Sequence, residues 1–304
     1  MEVKVDKKVE VKQEKILSPW KIVWLRLKRN KLAITGLYIL VAMVLLSFIG
    51  PFFSSYNLSD YNVGDRMLAP SAQHWLGTDD LGRDVLTRLM YGGRISLLVG
   101  VIAVAIEIVI GSILGVIAGF YGGIADGIIM RFVDIILCVP ALPMYIILGA
   151  IMSDIKFPPK YRIFVVMFVI GILAWPGLCR LVRGQILTLR EQDFMQATEA
   201  LGLRDRRKMF KHLLPNTFPQ IIVTATLGIG GAIMSESALS FLGMGVMPPT
   251  PSWGNMIQVV RDTYALQNRP WLWIPPGTLI FLTIMAINLF GDGLRDALDP
   301  KLKR

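Results

Sequence analysis

The sequence predicts an all-α, polytopic membrane protein with six transmembrane helices. Three observations predict it. Hydrophobic residues make up 54% of the 304 residues and charged residues only 18%, against about 25% charged in soluble domains. The apolar residues fall in long blocks without charge, each long enough to cross hydrocarbon. The surplus of 32 Lys+Arg over 22 Asp+Glu, a net charge of +10, sits between those blocks. The balance excludes a disordered chain.

A membrane helix needs roughly 20 mostly apolar residues for about 30 Å of hydrocarbon. Residues 32–59 carry no charge and predict a first span near 33–53. Residues 95–125 carry only Glu107 and predict a second near 95–120. Further spans are expected near 129–151, 162–181, 218–242 and 272–291. Arg131 and Asp134 open the third, and Pro176 interrupts the fourth. The first is too long and too far from the N-terminus for a cleaved signal peptide, and Pro51-Phe52-Phe53 lacks a small-x-small cleavage site.

An even number of spans puts both ends on one side, and the positive-inside rule selects it. Lys21, Arg26, Lys28, Arg29 and Lys31 precede the first span. Arg183, Arg190, Arg204, Arg206, Arg207, Lys208 and Lys211 lie between the fourth and fifth, and residues 301–304 read Lys-Leu-Lys-Arg. Asp60, Asp65, Asp79, Asp80 and Asp84 outweigh Arg66, Arg83 and Arg88 in the first long loop. Both termini and the 182–214 loop are therefore expected in the cytoplasm, with loops 54–92 and 243–271 outside. The positive charge is a topology signal. No basic domain stands apart from the membrane, so nucleic acid is not expected as a partner.

Residues 1–31 are expected to form a solvated tail (1–16) and an amphipathic helix, and residues 32–304 the membrane domain. Ser18 caps that helix, with Pro19 at its first position. Trp20, Val23, Trp24 and Leu27 share a face that suits the lipid interface. An extension of the first span fits the pattern equally well.

Small residues let helices approach in lipid, where hydrophobic drive is weak. Gly111, Gly115 and Gly119 recur every fourth residue, and Gly228, Gly230 and Gly231 fall at mid-depth of span five. They suit packing within the chain or against a second subunit. Glu107, Asp134 and Glu236 lie within or near spans and are the candidate pathway or intramembrane polar residues. Asp134 has Arg131 at i−3 as an expected partner. Glu107 has none in its own helix, and so either lines an aqueous cavity or bonds a neighbouring helix.

No catalytic residue is expected. The chain has no GxxxxGK[ST] phosphate loop, HExxH, CxxC or nucleophile motif. Cys138 and Cys179 lie far apart in apolar stretches, and His74 and His212 are the only histidines. No metal or cofactor is expected in this chain. Energy for transport would come from an ion gradient, with Glu107 or Glu236 as proton site of a stand-alone transporter, or from a partner.

The 182–214 loop is the most informative region. Residues 190–201 have helical character, with Phe194, Ala197 and Leu201 on one side. Gly202 breaks the pattern, and a second basic helix follows until Pro215 stops it or starts span five. Two short helices hinged at a glycine suit either docking on another protein or rest on headgroups.

The run Gln196-Ala197-Thr198-Glu199-Ala200-Leu201-Gly202, followed by Leu214-Pro215, resembles the EAA loop of ABC importer permeases, whose consensus is EAA-x3-G and then IxLP. Gln196 stands for the glutamate, Thr198 for the second alanine and His212 for the isoleucine. Glutamine keeps reach and hydrogen bonding but loses charge, leaving Glu199 and Glu191 as the nearby carboxylates. The run from His74 to Asp84, Leu239-Ser240-Phe241-Leu242-Gly243, Pro249-Thr250-Pro251-Ser252-Trp253-Gly254-Asn255 and the segment from Gly291 to Pro300 are similar to the C-type permeases of dipeptide, oligopeptide and nickel importers.

The resemblance implies a type I ABC importer permease fold in a bacterial or archaeal cell membrane. It implies a heterodimer with a B-type permease, two ATPase subunits that carry the ATP and Mg, and an extracytoplasmic solute-binding protein. Gln196, Ala197, Glu199, Ala200, Gly202, Leu203, Arg204, Asp205 and Arg206 would form the ATPase-coupling element. Di- or oligopeptides are the implied cargo, with nickel complexes or oligosaccharides as alternatives. The external loops, with Trp253 and Trp271, suit reception of a binding protein or a self-packed cap.

Overall fold

The computed structural model describes residues 18–299. The tail expected at 1–16 and the basic terminus at 301–304 lie outside the described residues. In chain order the helices are α1 (Pro19–Arg29), α2 (Lys31–Phe48), α3 (Val85–Tyr121), α4 (Gly123–Cys138), α5 (Ala141–Asp154), α6 (Pro159–Leu189), α7 (Asp193–Ala200), α8 (Asp205–Arg207), α9 (Leu214–Phe241), α10 (Trp253–Met256), α11 (Thr263–Asn268) and α12 (Pro270–Leu298). A π-helical stretch, Lys208–Leu213, joins α8 to α9. No β-strand occurs among the described residues, and one isolated antiparallel bridge pairs Thr78 with Asp84.

Five helices are long and apolar enough to span a bilayer, and a bent pair, α4 with α5, makes a sixth candidate. The expected straight span at 129–151 is thus corrected: the pair bends by 76°. Val139 is extended (φ −87°, ψ 122°) before Pro140. A residue before proline is pushed out of the α region by the ring.

Four other spans are longer than expected, the fifth reaching back to Asp205 and the sixth on to Leu298. The second begins at Val85 rather than near 95, so the outer loop shortens from 54–92 to 54–84. Charges had argued against helix there, and the fold absorbs them. Arg94 Nε donates to Ser47 O at 2.8 Å and Nη2 to Phe48 O at 2.9 Å, satisfying carbonyls at the end of α2. The fourth span runs on to Leu189, with Pro176 inside it.

α1 is not an extension of α2. Asn30 between them is extended, and its Oδ1 accepts from Ala33 N at 3.2 Å, capping α2. The expected apolar face of α1 divides. Leu27 and Val23 pack with Ala33, Phe290 and Ala297, whereas Trp20 and Trp24 remain exposed. Arg26 Nη1 donates to Asp299 O at 3.0 Å, tying α1 to the end of α12.

α3 is the central helix and packs most extensively on α6. Its glycine stripe explains how. A Cβ on Gly111, Gly115 or Gly119 would lie 2.9 Å from Trp175 O, 2.8 Å from Cys179 O or 2.7 Å from Ile186 Cβ. Of the two partners open to the sequence, the stripe therefore meets this chain's own α6. Gly228 of α9 faces Val104 and Glu107 and Gly230 faces Ile287, while Gly231 points outward.

Asp134 does not pair with Arg131. It accepts from Arg180 of α6. About two turns earlier along α4, Asp126 accepts from Arg183 Nε and Nη2 at 2.5 and 2.6 Å. The crossing of α4 over α6 sets these pairs opposite each other, which spacing along α4 could not reveal.

The alternating helices give the bundle two distinct ends. α1, the end of α12 and the 190–213 elbow share one. The 49–84 loop, α10 and α11 share the other. There the run from His74 to Asp84 knots itself together. Asp84 Oδ1 lies 3.0 Å from His74 Nδ1 and accepts from it in the Nδ1–H tautomer, and Asp84 Oδ2 caps α3 by accepting from Thr87 N at 2.7 Å. Asp79 accepts from Leu81 N, Arg83 N and Arg83 Nε and pairs with Arg88 Nε at 3.2 Å. Gly82 (φ +75°) lets this turn touch residue 62: a Cβ there would sit 1.8 Å from Asn62 O. Much of the charge in this motif is thus spent on folding the cap.

Candidate functional site

The elbow begins where α6 stops. Arg190 Nη1 donates to Gly119 O at 3.2 Å and its Nε to Glu191 at 3.0 Å. Helix α7 starts at Asp193 rather than at 190, then ends in a Schellman motif. Gly202 N bonds Glu199 O at 2.8 Å and Leu203 N bonds Thr198 O at 3.2 Å. Gly202 has φ +65°, and a Cβ there would meet nothing within 4 Å. The glycine is required by conformation, and it leaves bare backbone on an outer surface.

The buried side of α7 differs from the expected one. Met195 and Thr198 point inward, with Phe194 half-buried. Ala197 is exposed, and Leu201 is 77% exposed. Met195 joins Met209, Leu213, Val116, Leu178, Val182, Ile186 and Ile221 in one apolar cluster. The elbow is thus rooted in the ends of α3, α6 and α9.

Of the sequence-predicted coupling residues, Gln196, Ala197, Glu199, Ala200, Gly202, Arg204, Asp205 and Arg206 share the exposed side, and Leu203 is half-buried. Lys208 Nζ lies 3.0 Å from Asp205 and 3.9 Å from Glu199. Glu191 and Glu199, the two carboxylates near Gln196, therefore both have a basic neighbour within the chain. Arg204, Arg206, Arg207 and Lys211 surround an open hollow beside Phe210. An apolar ring within a basic surround offers apolar contact at the centre and charge at the rim, which is the anatomy of a protein interface.

Pro215 stands in the first turn of α9, as one of the two expectations had it, but no break precedes it. Residues 205–241 form one helix of 37 residues. Proline cannot donate to the carbonyl four residues back, and its ring crowds that carbonyl. The wider π stretch at Lys208–Leu213 lies where that conflict falls. At 1.5 Å per residue the helix is about 55 Å long, so one rigid element joins the elbow to the far end of the bundle.

The remaining candidates separate. Glu236 is fully buried near the far end of α9. It accepts from Ser96 Oγ at 2.9 Å and Ser240 Oγ at 2.6 Å. Ser96 Oγ also receives Trp253 N at 3.2 Å, and Trp253 Nε1 donates to Leu89 O at 3.0 Å. Gly254 lies so close to α9 that a Cβ would sit 2.5 Å from Ser237 Cα. Glu236 thus fastens α10 onto α3 and α9. Glu107 is buried on α3, makes no hydrogen bond to another described residue, and abuts Gly228 of α9. Asp134, paired with Arg180, is half-exposed on the outside of α4. The three are not brought together. Sequence reasoning missed the anchoring pair Met195 and Met209, because methionine in an amphipathic loop carries no positional signal.

Bundle, elbow and clamped 49–84 loop define a polytopic helical membrane protein. The comparisons give the family. The binding-protein-dependent transport system inner membrane component matches residues 111–304, and the N-terminal TM domain of oligopeptide transport permease C matches residues 18–70. The chain is 42% identical over 287 residues to the dipeptide transport system permease protein DppC of Alkalihalophilus pseudofirmus, covering 94% of this chain and 91% of that one. It is 43% identical over 291 residues to the oligopeptide transport system permease protein OppC of Bacillus subtilis, covering 96% and 92%. With the glutathione transport system permease protein GsiD of Escherichia coli it shares 38% over 294 residues, covering 96% and 94%. This chain belongs to the family of binding-protein-dependent transport system inner membrane components.

Proposed function

We propose that the chain is the membrane permease subunit of an ATP-driven peptide importer, worked through its elbow by an ATPase partner. The observation that carries the coupling reading is the Schellman turn at Gly202, which presents bare backbone and Leu201 outward from a root fixed in three helices. The relatives, dipeptide, oligopeptide and glutathione permeases, support a peptide cargo over nickel complexes or oligosaccharides.

In this reading a second, B-type permease completes the pathway. Two ATPase subunits bind at the elbow end, where ATP and Mg reside on the partners. A solute-binding protein docks at the loop end. A push on α7 is passed into α9 through Met195, Met209 and Leu213, and α9 moves as a rod with α10 clamped to its far end by Glu236. Two packings of such a rod would be the inward- and outward-open states. The family relationship supports location in the inner membrane of a prokaryote, with the elbow and both termini in the cytoplasm by the charge rule.

Reconstitution tests this. Labelled dipeptide uptake into liposomes is expected only with the partner permease, ATPases, binding protein and ATP together. Uptake by this chain alone under a proton gradient would replace the proposal with an ion-coupled transporter.

A further inference from the structure

At the loop end lies a cavity of about 440 Å³ between the 54–84 loop, the start of α3, and the α10–α11 segment. Its volume is within the roughly 300–1,000 Å³ of small-ligand pockets. Asp79, Asp80, Arg83, Arg88, Arg261 and Asp262 bring three basic and three acidic groups to its wall.

Most of these charges are already engaged. Asp79 is engaged by three hydrogen-bond donors and an ion pair with Arg88, as described above. Arg83 Nη2 lies 3.6 Å from Asp80, and Asp262 Oδ1 receives Tyr264 N at 3.0 Å. Two donors are left over. Arg88 has a side chain only 7% exposed, and its buried Nη1 has no hydrogen-bond partner. Arg261 makes no ion pair or hydrogen bond with any described residue. Both guanidiniums line the cavity, and a carboxylate between them would make charge-assisted hydrogen bonds, the stronger kind. On the acidic side, Asp80 is largely exposed and Asp262 keeps a second oxygen free.

We propose that this cavity is a binding site for a small zwitterion, a short peptide with both termini free. Its carboxylate sits on Arg88 and Arg261, and its ammonium faces Asp262 and Asp80. A single acidic side chain from a docked protein would use the guanidinium donors and leave the acidic wall and most of the volume empty. The site deepens the peptide-importer reading and rests on it for the choice of ligand.

The test is titration calorimetry on the transporter assembled with its partner subunits in nanodiscs, without the binding protein. Dialanine is compared with alanyl-alaninamide, which lacks the carboxylate. Dialanine is expected to bind at least about tenfold tighter, the size of one charge-assisted hydrogen bond. Arg261→Gln is expected to remove most of that difference, and since the Arg261 side chain bonds no described residue, the substitution leaves the fold alone. Arg88→Lys, which keeps a charge beside Asp79, is expected to do the same. Equal binding of the two compounds, no binding of either, or variants that keep the parent's preference for dialanine, overturns the site. ATP-driven dipeptide uptake separates the two readings. Uptake without dialanine binding here removes the site and leaves the importer, and dialanine binding without uptake leaves the site and removes the importer.

Discussion

Ser96 on α3 donates its hydroxyl to the carboxylate of Glu236 on α9 at 2.9 Å, across 140 residues of sequence. The same Ser96 oxygen accepts the backbone N–H of Trp253. Three elements therefore meet on one buried hydroxyl–carboxylate pair, and the outer segment is fastened to the helix that begins at the elbow.

Glu236→Leu leaves the Ser96 and Ser240 hydroxyls without their acceptor and is expected to cost about 2–4 kcal/mol. Glu236→Gln keeps an acceptor and is expected to cost about half as much. Thermal unfolding of the detergent-purified complex, followed by size-exclusion recovery, checks the order. A leucine variant as heat-resistant as the parent would dismiss the clamp.

Gly115→Leu is expected to separate α3 from α6. The obstructing atom is the backbone oxygen of Cys179, 2.8 Å from the added Cβ, and backbone cannot rotate away. Overpacking of this kind costs about 1–3 kcal/mol. Gly231→Leu, at a position where a Cβ meets nothing within 4 Å, serves as the control. Loss of folded protein should follow the first substitution and not the second.

Gly202→Asp is expected to reduce ATPase co-purification about tenfold while the spans still insert. A non-glycine residue at φ +65° costs about 1–2 kcal/mol, and the new carboxylate projects from the outer face. Undiminished ATPase recovery would count against the elbow as docking element.

Cysteines at Arg206 and Asp80 report sidedness. Both positions are exposed, and neither is a core residue. In intact cells an impermeant thiol reagent is expected to label the cysteine at 80 and spare that at 206. Reversed labelling would invert the orientation.

Breaking Asp126–Arg183 tests the lateral seat of α4. Asp126→Ala and Arg183→Ala are each expected to destabilise, and the double variant by less than their sum. Strict additivity in a thermal-shift cycle would mean that the two bonds of 2.5 and 2.6 Å contribute no coupling.

The sequence by itself determined the solvent this chain folds in, because long uncharged blocks have no other favourable environment. It also determined the hinge, since a left-handed turn between two amphipathic stretches requires a residue such as Gly202. It named the glycine stripe but not what the stripe meets. Only the tertiary structure decided that Gly111, Gly115 and Gly119 take α6, that Asp134 takes Arg180 rather than Arg131, and that Arg88 and Arg94 lie within a helix. It also decided that α4 and α5 bend apart and that the basic helix runs unbroken past Pro215. Hydropathy and periodicity are sums over neighbours along one chain. A partner across the bundle is set by helix rotation and crossing, which distant residues fix jointly.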